Sequence, residues 1–139
     1  MGCAYPATMR LHLCRHAEAA PGEPDELREL TPRGVEQAQD LGEHLAELED
    51  PPQLVVSSPL LRARQTAAEI GRALGAPVQV AEELAPGATI DSLRRAIDGT
   101  QGPVAVVGHQ PDCSEIAYAV IGRDPGFPVA GVVELDLGA

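Results

Sequence analysis

Apolar positions along the chain fall into two kinds of segment. The first kind is short and nearly continuous: Arg10 to Cys14, Leu54-Val55-Val56-Ser57, the weaker Val78-Gln79-Val80, and Val104-Ala105-Val106-Val107. Runs of this length, bounded by Gly or Pro, read as strands inside a sheet. The second kind spaces its apolar residues three and four apart: Val35, Ala38, Leu41, Leu45 and Leu48; Leu60, Ala63, Ala67, Ile70 and Leu74; Ile90, Leu93, Ala96 and Ile97. That period predicts helices with one buried face. Thr31 and Pro32 open the first helix, which is expected to run to Glu49 before Asp50-Pro51-Pro52 stops it. Ser58-Pro59 repeats the cap-and-proline arrangement for a second helix ending near Leu74, with Gly75 as its stop. A third helix follows Thr89 and ends at Gly99. Asp112, with Glu115 three residues on, reads as the capping box of a fourth helix that ends at Gly122. Val132 to Leu137 instead alternates apolar and acidic residues, the pattern of a strand solvated on one face at a sheet edge. Strand and helix in alternation predict a single-domain α/β fold. The expected architecture is a three-layer sandwich: a mostly parallel sheet, helices on both faces and an antiparallel C-terminal edge strand. Residues 1–8 are expected to be a disordered lead-in to a domain spanning residues 9–139.

Bulk properties narrow the function. A chain of 139 residues suits one core. Its formal net charge of −11 and its 2% aromatic content lack the basic footprint and stacking surfaces of nucleic-acid binders. The same charge disfavours anionic membranes. No apolar stretch is long enough to span a bilayer, and no signal-peptide pattern opens the chain. Met1-Gly2-Cys3 invites a lipidation reading, but Pro6 stands where Ser or Thr is needed. Cys3, Cys14 and Cys113 have neither disulfide-framework nor metal-ligand spacing, which fits small apolar residues in a reducing, cytoplasmic compartment.

Three strand ends carry conspicuous polar residues: Arg15-His16, the Ser58-Pro59-x-x-Arg62 corner, and Gly108-His109. Alone, an Arg-His pair is equally a chance dipeptide on a loop. In a parallel sheet, however, all three ends face one crevice, where ligands of α/β folds bind. Two imidazoles and two guanidiniums beside a helix amino terminus suit a phosphoryl group. Arg64 is read as a solvated helix charge, and His12 and His44 as lacking convergent partners. A metal held by His16 and His109 is disfavoured because the arginines would repel a cation.

At this level the chain resembles a known family. Arg15-His16-Ala17, Leu30-Thr31-x-x-Gly34, Ser57-Ser58-Pro59-x-x-Arg62-Ala63-x-Gln65-Thr66, Glu83-Leu84-x-Pro86 and Val107-Gly108-His109-Gln110-Pro111 are similar to segments of the phosphoglycerate mutase-like histidine phosphatase superfamily. The short chain and the Glu-Leu-x-Pro and Gly-His-x-Pro segments resemble bacterial phosphohistidine phosphatases of the SixA type. The resemblance implies that His16 is a nucleophile forming a phosphohistidine intermediate. It implies that Arg15 and Arg62 neutralise phosphoryl oxygens, that His109 donates to one of them, and that a carboxylic acid protonates the leaving group. Glu83 is the candidate acid and Glu18 the reserve. No metal or other cofactor is expected, because the arginines supply the positive charge.

Two positions depart from the family pattern. Ala17 replaces the usual Gly after the nucleophile and would be strained if the backbone there needs positive φ. Gln110 replaces the usual Asn. The only candidate insertions, Glu18 to Thr31 and Pro86 to Pro103, are short, which implies an open, shallow site. The expected substrate is phosphohistidine on a partner protein. The alternatives are a small phosphorylated metabolite, or phosphate binding without catalysis, the latter motivated by Ala17.

Overall fold

The computed structural model describes residues 9–138, so the lead-in expected for residues 1–8 lies outside the described residues. Strands β1 (Met9–Arg15), β2 (Leu54–Ser57), β3 (Val78–Val80), β4 (Val104–Gly108) and β5 (Val132–Leu137) form one sheet in the order β3-β2-β4-β1-β5. All neighbours run parallel except β1 and β5, which pair antiparallel. Helices α1 (Pro32–Ala46), α2 (Leu61–Leu74), α3 (Ile90–Ala96) and α4 (Asp112–Ile121) cover the sheet. The α/β sandwich read from the sequence, with its antiparallel C-terminal edge strand, is the fold observed.

Side-chain alternation along the strands sorts two cores. Leu11, Leu13, Val56, Val104, Val106 and Leu135 face α3 and α4, meeting Leu93, Ile97, Ile116 and Ala117. Cys14, Val55, Ala105 and Val107 face α1 and α2, meeting Leu41, Leu45, Ala63, Ala67 and Ile70. β4 is buried along its whole length, as expected of a central parallel strand. None of the described helices is long and apolar enough to cross a membrane.

Four helix boundaries differ from expectation, each for a local reason. α1 ends at Ala46 instead of Glu49, where the Glu47 N–H turns back to the last carbonyls. α3 ends at Ala96 instead of Gly99, because Ile97 has already left helical geometry at φ −107° and ψ 8°. Ser58 does not cap α2: Leu60 is the extended residue before that helix, so Pro59 is not its first position. Asp112 does not cap α4; its carboxylate accepts from Gly87 N–H at 2.8 Å and Ala88 N–H at 3.1 Å. The Gln110 side chain takes over at that helix end, its oxygen accepting from Ser114 N–H at 3.0 Å.

Candidate active site

Strand register builds the site. Arg15 pairs with Gly108 across β1 and β4, so the next residues, His16 and His109, leave the sheet side by side. Parallel neighbours lie about 4.8 Å apart, and the two imidazole centroids are 5.3 Å apart, tilted by 55°. Ser57 pairs with Val107 across β2 and β4, which sets Ser58 at the same edge. The His16 backbone is held on both sides: its N–H donates to Gly108 O at 3.1 Å, and its carbonyl accepts from Ala130 N–H at 3.1 Å.

The hydrogen bonds define each side chain's state. His16 Nδ1 lies 2.8 Å from the Ala17 carbonyl oxygen. A carbonyl only accepts, so Nδ1 carries the proton and Nε2 keeps its lone pair. Burial lowers the His16 pKa below its ordinary value; the bond to Ala17 opposes this, and Arg62, Arg15 and Arg28 add to it. The imidazole is therefore neutral near pH 7, as a nucleophile requires. His109 is pushed down to about 4, by burial first and then by His16 and Arg62. Its Nε2 lies 2.6 Å from Ser58 Oγ. Its Nδ1 is buried without a hydrogen-bond partner among the described residues, and so is Arg15 Nε. Arg15 also donates through Nη1 to Phe127 O at 3.0 Å.

Arg62, the second residue of α2, is buried at 7% exposure. Its Nη1 donates to the Asp25 carbonyl at 2.9 Å and its Nη2 to the Asp25 carboxylate at 3.3 Å. A hydrogen bond from Arg28, and then the Arg62 charge, hold the Asp25 carboxyl below its ordinary pKa, so Asp25 is ionised.

Helix α2 also fastens the segment that follows His16. Thr66 Oγ1 accepts from Ala17 N–H at 3.0 Å and donates to Arg62 O at 2.8 Å. Gln65 Oε1 accepts from Leu30 N–H at 2.8 Å. From α1, Gln37 Oε1 accepts from Glu18 N–H at 2.9 Å. Gly34 is required here, because a Cβ on it would stand 2.1 Å from the Glu18 carbonyl oxygen. Ala17 is fully buried beside Leu30 and Ala38. Among the described residues Ala130 is the only non-glycine at positive φ, so Ala17 carries no backbone strain. The strain that motivated a binding module without catalysis is therefore absent.

The predicted site residues are not all treated alike. His16 and His109 stand together, with Arg15 continuous with one of them. Both arginines are close enough for their charges to bear on His16. Glu83 is exposed on the one-turn helix Glu82–Leu84 after β3, and no hydrogen bond or ion pair joins it to that group among the described residues. Glu18 is engaged elsewhere, accepting from Thr31 Oγ1 at 2.7 Å. Arg64 is exposed and donates to Pro59 O, consistent with a solvated helix charge. Reasoning from sequence missed Asp25, Ser58 as the partner of His109, and the positioning by Thr66. Thr66 was findable, since it lies four residues from Arg62 on the same helix face; nothing marks Asp25 in its loop. Among the described residues no group of three or more His, Cys, Asp or Glu is arranged to hold a metal ion. Burial pushes the Cys113 thiol up to about 12 and the Cys14 thiol higher still, which leaves both unreactive.

The comparisons agree with one another. A family model described as histidine phosphatase superfamily (branch 1) matches residues 11–86. An uncharacterized protein of Picosynechococcus sp. is 35% identical over 143 aligned positions, covering 94% of this chain and 87% of the relative. An uncharacterized Mycobacterium tuberculosis protein is 34% identical, covering 87% of this chain and 85% of the relative. A solved structure from Agrobacterium tumefaciens, assigned as the phosphohistidine phosphatase SixA, is 32% identical with a TM-score of 0.79, covering 96% of this chain and 93% of that one. The protein histidine phosphatase SixA in complex with tungstate is 26% identical with a TM-score of 0.81, covering 91% and 86%.

Proposed function

We propose, from the premise that this chain belongs to the histidine phosphatase superfamily and is a phosphatase, that it removes the phosphoryl group from phosphohistidine on a partner protein in the cytoplasm. The observation that carries the reading is the neutral His16 imidazole, its Nε2 free, 5.3 Å from a second imidazole and flanked by two arginines.

The steps follow from those atoms. His16 Nε2 attacks phosphorus in line with the scissile P–N bond. A proton from solvent or a carboxylic acid first occupies the other nitrogen of the substrate ring, and the P–N bond then breaks with its electron pair leaving on a neutral imidazole. Arg15, Arg62 and His109 bind the three phosphoryl oxygens and stabilise the charge that spreads over them in the transition state. Water then attacks the phosphorylated His16, releases inorganic phosphate and restores the imidazole. Glu83 is the carboxyl group assigned to the leaving group. With its other nitrogen already protonated, the substrate ring leaves as neutral imidazole, the conjugate base of an acid of pKa ~6.5, so a P–N substrate asks less of that acid than an alkoxide does. This fits an exposed Glu83.

The segments flanking the site favour a large substrate. Of residues 86–103, α3 occupies 90–96, and both ends of residues 18–31 are tied to α1 and α2. Neither supplies a separate lid that would enclose a small metabolite.

The test is dephosphorylation of a phosphohistidine-bearing protein, with and without chelator, beside a panel of sugar and alkyl phosphates. The expected result is chelator-independent activity that prefers the phosphoprotein and is lost in His16→Ala, with an acid-labile, alkali-stable phosphoenzyme trapped by rapid quench. A strong preference for one small phosphate ester would overturn the substrate assignment, and an inert wild type would overturn the activity.

A further inference from the structure

The hydroxyl of Ser58 lies at the edge of the site and has no part in the steps above. Ser58 is completely buried, so solvent does not complete an unmet hydrogen bond on its hydroxyl. Ser58 Oγ accepts from Leu60 N–H at 3.3 Å and lies 2.6 Å from His109 Nε2. Its neighbour Ser57 is turned away, donating to the Ser58 carbonyl at 2.8 Å. A serine hydroxyl has one proton to give and two lone pairs to accept with. Two arrangements are possible.

If His109 Nε2–H donated to Ser58, the hydroxyl would accept two hydrogen bonds and its own proton would be stranded in a dry site. His109 Nδ1 would then be a bare lone pair, unable to bind an anion. If Ser58 donates to Nε2, its proton is used and one lone pair accepts from Leu60 N–H, with only the second lone pair spare. The imidazole proton then sits on Nδ1, the atom that has no partner among the described residues. The first arrangement strands two groups, the hydroxyl proton and the Nδ1 lone pair, and the second strands one, the Nδ1–H; each costs about 1–3 kcal/mol, so the second is favoured by about that much.

We infer that Ser58 is a positioning residue: by donating to Nε2 it fixes the His109 tautomer that keeps an N–H at Nδ1 for the phosphoryl oxygen. This rests on the phosphatase reading for its purpose, although the hydrogen-bond assignment stands without it. An unassisted neutral histidine would divide its proton between the two nitrogens, and only the Nδ1–H form offers a donor to an anion at that position.

Long-range 1H–15N correlation spectra of the 15N-labelled protein read the tautomer directly. For wild type at neutral pH, His109 Nδ1 is expected to appear as the protonated, pyrrole-type nitrogen and Nε2 as the pyridine-type one. The reverse pattern would overturn the inference whatever the kinetics. In Ser58→Ala, a mixture of tautomers is expected, with inorganic phosphate binding and kcat/KM both down about tenfold to a hundredfold and Tm lowered by several degrees, since two buried hydrogen bonds are lost. Ser58→Thr keeps the hydroxyl and should restore the single tautomer. A Ser58→Ala protein that binds phosphate normally and keeps one tautomer would sink the proposal. A wild type without phosphatase activity but with the Nδ1–H pattern would refute the activity and leave the Ser58 assignment standing.

Discussion

Replacing Gly34 by alanine tests whether the segment after His16 is set by backbone contact with α1. In an ordinary exposed helix the change would stabilise by about 1 kcal/mol, because alanine is the better helix former. Here the sign should reverse. The added Cβ would lie 2.1 Å from the Glu18 carbonyl oxygen, 3.0 Å from Glu18 C and 3.2 Å from Glu18 N. Real Cβ contacts essentially never come under 3.0 Å, so α1 and the Glu18 backbone must separate by nearly 1 Å. All three atoms are main chain, so no side chain can swing aside. Overpacking of this kind costs about 3 kcal/mol at the upper end of its usual range. Displacing Glu18 also weakens the Thr31 N–H bond to its carbonyl, 3.0 Å in the native state, worth about 1 kcal/mol. After the helix-propensity gain the net loss is about 3 kcal/mol. For a chain of this size that lowers Tm by about 10 °C. The strain passes through Ala17 to His16, and a misplacement of about 1 Å near the chemistry can cost up to about 10²-fold in rate. Thermal denaturation by circular dichroism and steady-state turnover of an aryl phosphate measure both effects. A Gly34→Ala protein as stable as wild type and fully active would refute the argument.

Three further outcomes are expected. Ala17→Gly should lower stability by about 1.5–2 kcal/mol, through one lost buried methyl and a looser unfolded chain, with kcat little changed; a thermal melt showing a gain in stability would contradict the packing described. The acid limb of kcat/KM should lie below pH 6.5, because His16 must be neutral and its pKa is lowered. Arg62→Gln removes a cation that favours the neutral ring, so that limb should move to higher pH; a pH profile that stays put or moves the other way would disprove the coupling. Glu83→Gln should change turnover of a phosphohistidine protein by at most about threefold but reduce that of an alkyl phosphate about tenfold or more; equal losses on both substrates would contradict the leaving-group argument.

Much of this molecule is legible in its sequence because the sheet turns local signals into a spatial arrangement. Arg15-His16 and Gly108-His109 each end an apolar run, and parallel register then leaves them no place but side by side. The strands and helix faces were readable from their period, although β3 lies at the sheet edge with Val78 and Val80 exposed, which period does not show. Contacts between segments distant along the chain were harder to read. Ser58-Pro59 has the form of a helix cap, yet the Ser58 hydroxyl goes to His109, which lies 51 positions away. Asp112 and Glu115 match a capping box, but the carboxylate of Asp112 is drawn to two free amides at Gly87 and Ala88. For Asp112 a tertiary partner outcompeted the local one, and Ser58 adds a tertiary partner to the local bond it keeps from Leu60 N–H. Asp25 lies in a connection with no periodicity, so nothing local marks it as the partner of Arg62.

That hold on Arg62 has a consequence for affinity. A long arginine side chain carries about 2 kcal/mol of rotamer entropy, which an anion arriving at a freely swinging guanidinium would have to remove. In this protein Nη1 and Nη2 are already anchored on Asp25, and the stem is buried in α2. The guanidinium plane is thus immobilised when the chain folds, and three of its five N–H donors remain uncommitted to Asp25. In the proposed reaction, capture of a phosphoryl oxygen by Arg62 is then a matter of fitting a rigid fork.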